Sequence, residues 1–271
     1  MTIDAHQHFW TLGRNDCAWP TPSEAAIHRD FGPPDLEPLA EALGISGTVL
    51  VQSQPSDRDT DFLLRLADET QLVKAVVGWA DLAAPYAPDR IARLAAHPKL
   101  RGLRPMLQSL EPDDWILDPR LEPAIAAMIE HDLRFDALVR PQHLPHLQKF
   151  AERHPALSIV IDHGAKPDIA RGMRDPWRAQ IAALAALPRV FCKLSGLATE
   201  AAPNWKPQDL KPYVNHLLAV FGPDRLMWGS DWPVINLAGD YADWLWLAEK
   251  LTPPENHPAL FVETARRFYR F

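Results

Sequence analysis

Apolar residues fall into eight short runs along the chain: TIDAHQHF from Thr2, GTVLVQS from Gly47, KAVVGWA from Lys74, LRGLRPM from Leu100, RFDALVR from Arg134, LSIVIDH from Leu157, RVFCKLS from Arg189 and RLMWGSD from Arg225. Each is bounded by glycine, proline or charge, the pattern of a strand buried on both faces. Between them lie amphipathic stretches of helical period. Asp35–Leu43 stops at Gly44, Asp57–Thr70 carries Phe62, Leu63 and Leu66, and Leu144–His154 carries Leu147 and Phe150. From His8 to Asp231 the strand ends recur about every 32 residues, the size of a βα repeat. Eight such repeats predict an α/β chain folded as a (β/α)8 TIM barrel, one domain over residues 1–271. The alternative, an open doubly wound sheet, lacks a glycine-rich phosphate loop after its first strand.

Proline sharpens these boundaries. The chain has 27 prolines in 271 residues, about double the usual share of roughly 5%. In AHPKL, RHPAL, ALPRV and FGPDRL one sits between a helical stretch and the next strand, where it stops the helix. The longest stretch without a pattern, Thr11–Pro34, follows the first strand and is expected to lie over the barrel mouth as a lid.

Composition narrows the class. Hydrophobic residues make up 47% and charged ones 23%, as in a globular protein, and the net charge of −7 argues against a nucleic-acid partner. No run approaches a membrane span, the N-terminus does not read as a signal peptide, and Cys17 and Cys192 do not make a disulfide framework. A cytoplasmic protein with a small-molecule substrate is expected, with no membrane partner and with homo-oligomerisation left open.

Polar residues recur where the apolar runs end. His6 and His8 close strand one and, by strand alternation, point the same way. Gln52 closes strand two, Trp79 strand three, Arg104 strand four, His163 strand six, Lys193 and Ser195 strand seven, and Asp231 strand eight. The C-terminal ends of barrel strands face one cavity, so these residues form a candidate site. Alternation places Asp162 and Arg101 on the opposite face from their neighbours His163 and Arg104, in structural roles.

The H-x-H of His6 and His8, with His163 and Asp231 on strands six and eight, resembles the amidohydrolase superfamily over essentially the whole chain. The segments LRGLRP, DHGAKP, CKLSGL and GSDWP are similar to its sugar-lactone hydrolase branch, which acts on L-fuconolactone or L-rhamnonolactone. The resemblance implies a hydrolase that opens a small aldonolactone. The rivals within the superfamily are a lactone isomerase, a pyrone or dicarboxylate lactonase and a metal-dependent decarboxylase, and the rival outside it is a binding module.

Binuclear members use a carboxylated lysine on strand four and a histidine on strand five. Here strand four offers Arg101 and Arg104, and strand five offers only Asp136, a substitute ligand or a structural carboxylate. A two-metal site is therefore not expected. His6, His8 and Asp231 suit a single divalent cation such as zinc, which an aldonolactone ester does not require.

The expected roles follow from residue chemistry. Asp231 serves as general base toward water, and His163 with His6 and His8 polarises the carbonyl. Arg104, Lys166 and Lys193 supply positive field. Gln52 and Gln108 read hydroxyls, and Trp79 and Trp232 pack against the sugar ring, with Trp10 left open between lid packing and binding.

Overall fold

In the computed structural model, which describes residues 1–271, the eight strands form one parallel sheet in sequential order. They are β1 (Thr2–Gln7), β2 (Ile45–Val51), β3 (Val73–Gly78), β4 (Leu100–Leu103), β5 (Arg134–Ala137), β6 (Ile159–Ile161), β7 (Val190–Leu194) and β8 (Leu226–Trp228). Each is followed by one helix: α1 (Pro33–Ala42), α2 (Asp57–Glu69), α3 (Ala87–Ala95), α4 (Glu122–Glu130), α5 (Leu144–Arg153), α6 (Trp177–Ala185), α7 (Pro207–Phe221) and α8 (Tyr241–Leu251). A last helix, α9 (Thr264–Tyr269), ends the chain. The fold is the expected TIM barrel, and the three helices read from periodicity are α1, α2 and α5. No helix is long and apolar enough to cross a membrane.

Local chemistry explains the boundaries. Pro98, Pro155, Pro188 and Pro223 each lie in the gap between a helix and the following strand. At the start of α2, the Ser56 side chain accepts from the Arg58 N–H at 3.1 Å, and Asp57 and Asp59 complement the helix dipole.

Two apolar layers hold the barrel. The larger lies between strands and helices. The smaller fills the barrel itself with Ile3, Ala5, Val49, Val51, Ala75, Val77, Val160 and Met227, which alternate along their strands. Phe268 and Tyr269 of α9 plug its lower end, and the Phe268 carbonyl accepts from Arg134 Nε at 2.5 Å.

Closure between β8 and β1 is irregular, and this matters for the site. The two meet through a bridge between Gln7 and Trp232, with Asp231 N–H donating to the His6 carbonyl at 2.8 Å and His8 N–H to that of Trp232 at 2.7 Å. The register of β1 slips between Asp4 and Gln7. Ile3 and Ala5 point into the barrel, and past the slip His6 and His8 do so as well. Gln7 turns the other way, toward the Thr48 hydroxyl.

Candidate active site

The strand ends carry the site. His8, Gln52 and Arg104 each stand one residue beyond the last paired residue of β1, β2 and β4, where the backbone leaves the ladder above the apolar barrel filling. Strand six is shorter than the sequence suggests: it stops at Ile161, and His163, Gly164, Ala165 and Lys166 all adopt left-handed backbone angles (φ 54°, 57°, 64° and 50°). A run of four such residues is costly away from glycine and marks a position held by its surroundings. It brings His163 to the inner side beside Asp162, whose carboxylate follows Val160 into the barrel, contrary to expectation, 3.1 Å from Arg104 Nη1 and 3.4 Å from His6 Nδ1. Asp231 is also left-handed (φ 58°).

These turns bring three imidazoles to one carboxylate oxygen. Asp231 Oδ1 lies 3.3 Å from His8 Nε2, 3.6 Å from His6 Nε2 and 3.8 Å from His163 Nε2. His8 Nδ1 meets the Val51 carbonyl at 2.7 Å. A carbonyl only accepts, so the proton sits on Nδ1 and a neutral His8 turns a bare Nε2 toward Asp231. His163 Nδ1 pairs with the Ser195 hydroxyl at 2.8 Å. The ring fills the space a Cβ at Gly196 would need, since that atom would fall 2.5 Å from His163 Nδ1.

Burial sets the charges. It pushes the His163 imidazolium down to about 4, Lys166 and Arg104 adding to the effect while Asp231 and Asp162 oppose it. Burial and then Lys193 hold His6 well below its ordinary range. For Asp231, burial acts upward, but the imidazoles of His163, His8 and His6, as they gain a proton, outweigh it and hold the carboxyl below its usual value. At neutral pH the site therefore presents an ionised Asp231 beside neutral His6 and His163.

The converging atoms fit a divalent cation. Tetrahedral ligands at zinc distances of roughly 2.0–2.1 Å stand about 3.3 Å apart. The Nε2 atoms of His6 and His8 are 3.1 Å apart, and Asp231 Oδ1 lies 3.3 and 3.6 Å from them, all close to that figure. His163 joins His6 and Asp231 in a cluster whose ligand atoms lie within 4.8 Å of one another. The bare Nε2 of His8 facing a carboxylate oxygen is a confrontation that a cation or a proton relieves. The donors for a second ion are missing: Arg104 Nη1 stands 3.4 Å from His6 Nε2, and Asp136 is taken by Lys193 Nζ and the Tyr269 hydroxyl, each at 2.6 Å.

A cavity of about 410 Å³ opens above these groups. Of the expected site residues, His8, His163, Asp231, Arg104, Gln108 and Lys166 line it. His6 lies just beneath, in contact with His8. Four expected substrate contacts lie elsewhere. Gln52 is buried and spends its side-chain amide on the Arg104 carbonyl at 2.8 Å. Lys193 still belongs to the β7 ladder, one layer below the mouth, and is fully enclosed by Asp136, Asp162 (3.1 Å) and His6 Nδ1 (3.2 Å). Trp232 packs against Phe9 and Phe31. Trp79 is half-buried outside the cavity wall, its backbone bonded to the Thr60 hydroxyl. Trp10 is lid packing, against Trp19 and Phe31, with its indole N–H donated to the Arg29 carbonyl.

The lid supplies what the strand ends did not reveal. Ala18 and Trp19 reach the cavity wall, tied down by Gln54, whose amide donates to the Trp19 carbonyl at 2.7 Å and accepts from Ala18 N–H at 3.1 Å. Ser53, Pro55, Met106, Ser109, Leu138 and Val234 complete the wall. The long patternless stretch with its tryptophans was the only signal for Trp19.

The amidohydrolase family model matches residues 3–271. An L-fucono-1,5-lactonase of Burkholderia ambifaria is 53% identical over 275 residues, covering 99% of this chain and 95% of that protein. A second, from Burkholderia multivorans, is 38% identical over 288 residues, covering 99% and 96%. Among solved structures, an amidohydrolase of Burkholderia multivorans with bound zinc superposes with a TM-score of 0.93 at 36% identity, over 100% of this chain and 99% of that one. With its H-x-H on strand one, His163 after strand six and Asp231 after strand eight, the chain belongs to the amidohydrolase family.

Proposed function

We propose that the protein hydrolyses L-fucono-1,5-lactone or a close aldonolactone of the L-fuconolactone or L-rhamnonolactone type, with Asp231 as general base. The reaction class, hydrolysis of a sugar-lactone ester, is that of the two Burkholderia lactonases. The observation that carries the residue roles is the meeting of an ionised carboxylate with three imidazoles at the floor of a polar-and-apolar cavity.

Water beside Asp231 adds to the acyl carbon as the carboxylate takes its proton. A Ser195 hydroxyl that donates to His163 Nδ1 leaves the Nε2 proton facing the cavity, where it stabilises the oxyanion. Arg104 adds positive field from the floor. The bond between acyl carbon and ring oxygen then breaks, and the proton held on Asp231 passes to the departing oxygen, leaving a hydroxy acid. Gln108, whose Oε1 is buried without a partner, is available to a ring hydroxyl, and Trp19 offers an apolar wall. A divalent cation on His6, His8 and Asp231 would polarise the ester carbonyl when bound, and we propose that it is not required.

Incubation with a panel of aldonolactones and a pH indicator tests this reading. Acid release with L-fucono-1,5-lactone among the best substrates supports it. No acid from any lactone, or isomerisation seen by NMR in its place, overturns it.

A further inference from the structure

Two cations line the cavity, and each already has a carboxylate. Arg104 gives one arm to Asp162 at 3.1 Å and the other to the Gln52 carbonyl. Lys166, carried to the wall by the left-handed turn, has Glu200 at 3.5 Å, and both side chains are only 18% exposed. Glu200 comes from the helical turn after β7 (Ala198–Glu200), and its carbonyl accepts from Ala170 N–H at 3.0 Å, which fixes the turn against the segment beyond Lys166. Glu200 is not part of the cavity wall; it borders an open cleft on the far side of Lys166, together with Arg140 and Arg171.

We infer that Glu200 is a specificity-determining residue: by occupying Lys166 it turns the cavity against lactones that carry a carboxylate and lets the acid product leave. The inference rests on the lactonase reading of the same site. A carboxylate entering the cavity loses water beside the ionised Asp231 and needs a cation in return. Arg104 is locked under the floor, so Lys166 is the one cation with a face to the cavity that a ligand can compete for. A carboxylate tethered 3.5 Å away on the same protein is hard to displace. The reaction itself changes the charge of what is bound. A neutral ester enters, water adds, the acyl carbon–ring oxygen bond breaks, and the new carboxylic acid ionises at neutral pH with release of a proton. A free lysine would hold that anion, and a paired one does not.

The test is Glu200→Gln, with galactarolactone compared against L-galactonolactone, in which a hydroxymethyl group replaces the exocyclic carboxylate. The ratio of kcat/KM for the carboxylated over the neutral lactone is expected to rise about tenfold or more, and inhibition by galactonate to tighten by a similar factor. Both gains should vanish when Lys166→Met is added and shrink in about 1 M salt. An unchanged ratio and unchanged inhibition in a folded variant would make the pair an ordinary structural ion pair and overturn the inference. Should neither protein hydrolyse any lactone, the lactonase reading fails, and galactonate affinity measured calorimetrically still decides the role of Glu200: equal Kd values sink it, and tighter binding to Glu200→Gln upholds it.

Discussion

Ser230 donates to Asp4 twice, through its backbone N–H to Oδ1 at 2.8 Å and its hydroxyl to Oδ2 at 2.6 Å. Asp4 Oδ1 also takes the His6 N–H at 3.1 Å, and Tyr241 caps Oδ2 at 2.8 Å. One buried carboxylate thereby joins the backbone next to Asp231 to the backbone of His6, at the seam where β8 and β1 lack a regular ladder. Ser230→Ala removes a charge-assisted hydrogen bond, expected to lower stability by about 1.5–3 kcal/mol. It also loosens the His6–Asp231 contact, so kcat should fall about tenfold with KM changed less than about twofold. Thermal melting and steady-state kinetics on the same sample check both. A lower Tm with unchanged kcat would reduce the Asp4 cluster to a fold element.

Asp231→Asn keeps the shape of the side chain and removes its ability to take a proton. Loss of a general base is expected to cost about 10²–10⁴ in kcat. The fold should survive, since the amide still fits among the imidazoles. With the Asp231 carboxyl held below its ordinary value and His163 near 4, both groups keep their working forms at every pH above about 4. In the wild type kcat/KM should therefore be level from pH 6 to 8 and fall only as pH approaches 4. An acid limb centred near pH 6.5 would mean that an ordinary histidine, and not this pair, governs the rate.

Arg104 illustrates what the sequence could and could not convey. Its place at the end of β4 predicts a residue at the mouth, and it is there, but as the partner of Asp162 and Gln52 with 3% of its surface exposed. From position alone, Arg104→Met would alter catalysis and spare stability. The buried pair reverses that: Asp162 keeps Lys193 at 3.1 Å but loses its charge-assisted bond to Arg104, and the Gln52 carbonyl loses its donor, an outcome worth about 1.5–3 kcal/mol of lost stability. A melting curve decides, and a Tm within about 2 °C of wild type would contradict the buried ion pair.

The same contrast runs through the rest of the molecule. Strands, helices and the ring of strand-end residues were legible because a parallel barrel writes them as apolar runs, periodic stripes and proline stops. Asp162, Lys193, Gln52 and Trp232 were misplaced for two reasons. Lys193 had not yet left β7 and points inward one layer too low, while Gln52 and Trp232 lie beyond their ladders, where alternation no longer applies. Asp162 follows Val160 into the barrel, and the left-handed turn from His163 to Lys166 brings His163 to the same side. Trp19 was not assigned because a lid has no period to read.

Asp59 offers a pH test outside the catalytic centre. It is buried beneath the lid support, accepting from Ser53 and Gln54 N–H at 3.2 and 3.3 Å, and burial pushes its carboxyl up to about 7. A folded value above the unfolded one contributes stability that is complete below about 3.8 and lost as pH rises through 7. Asp59→Asn keeps an acceptor for both N–H groups and does not ionise. The variant should gain on the wild type by a few kcal/mol between about pH 4 and pH 7. Denaturant unfolding across that range checks the slope, and parallel curves would show that Asp59 titrates normally.

Metal removal bears on the chemistry most directly, and the site argues in both directions. His6, His8 and Asp231 converge at distances that suit one tetrahedral ion. Yet Arg104 Nη1 stands 3.4 Å from His6 Nε2, a fixed positive charge that opposes a nearby divalent ion and itself supplies field to a developing oxyanion. A lactone ester is also more reactive than an amide and demands less of a Lewis acid. Chelator-treated protein is therefore expected to retain more than about half of its kcat/KM on an aldonolactone, a loss of under 0.5 kcal/mol in transition-state stabilisation. The same protein should still take up zinc, and His8→Ala should weaken that uptake. The deciding measurement pairs kcat/KM with metal content on one sample. Activity that falls in proportion to the metal removed, and returns with zinc, would make the ion obligatory and assign Arg104 to holding Asp162 alone.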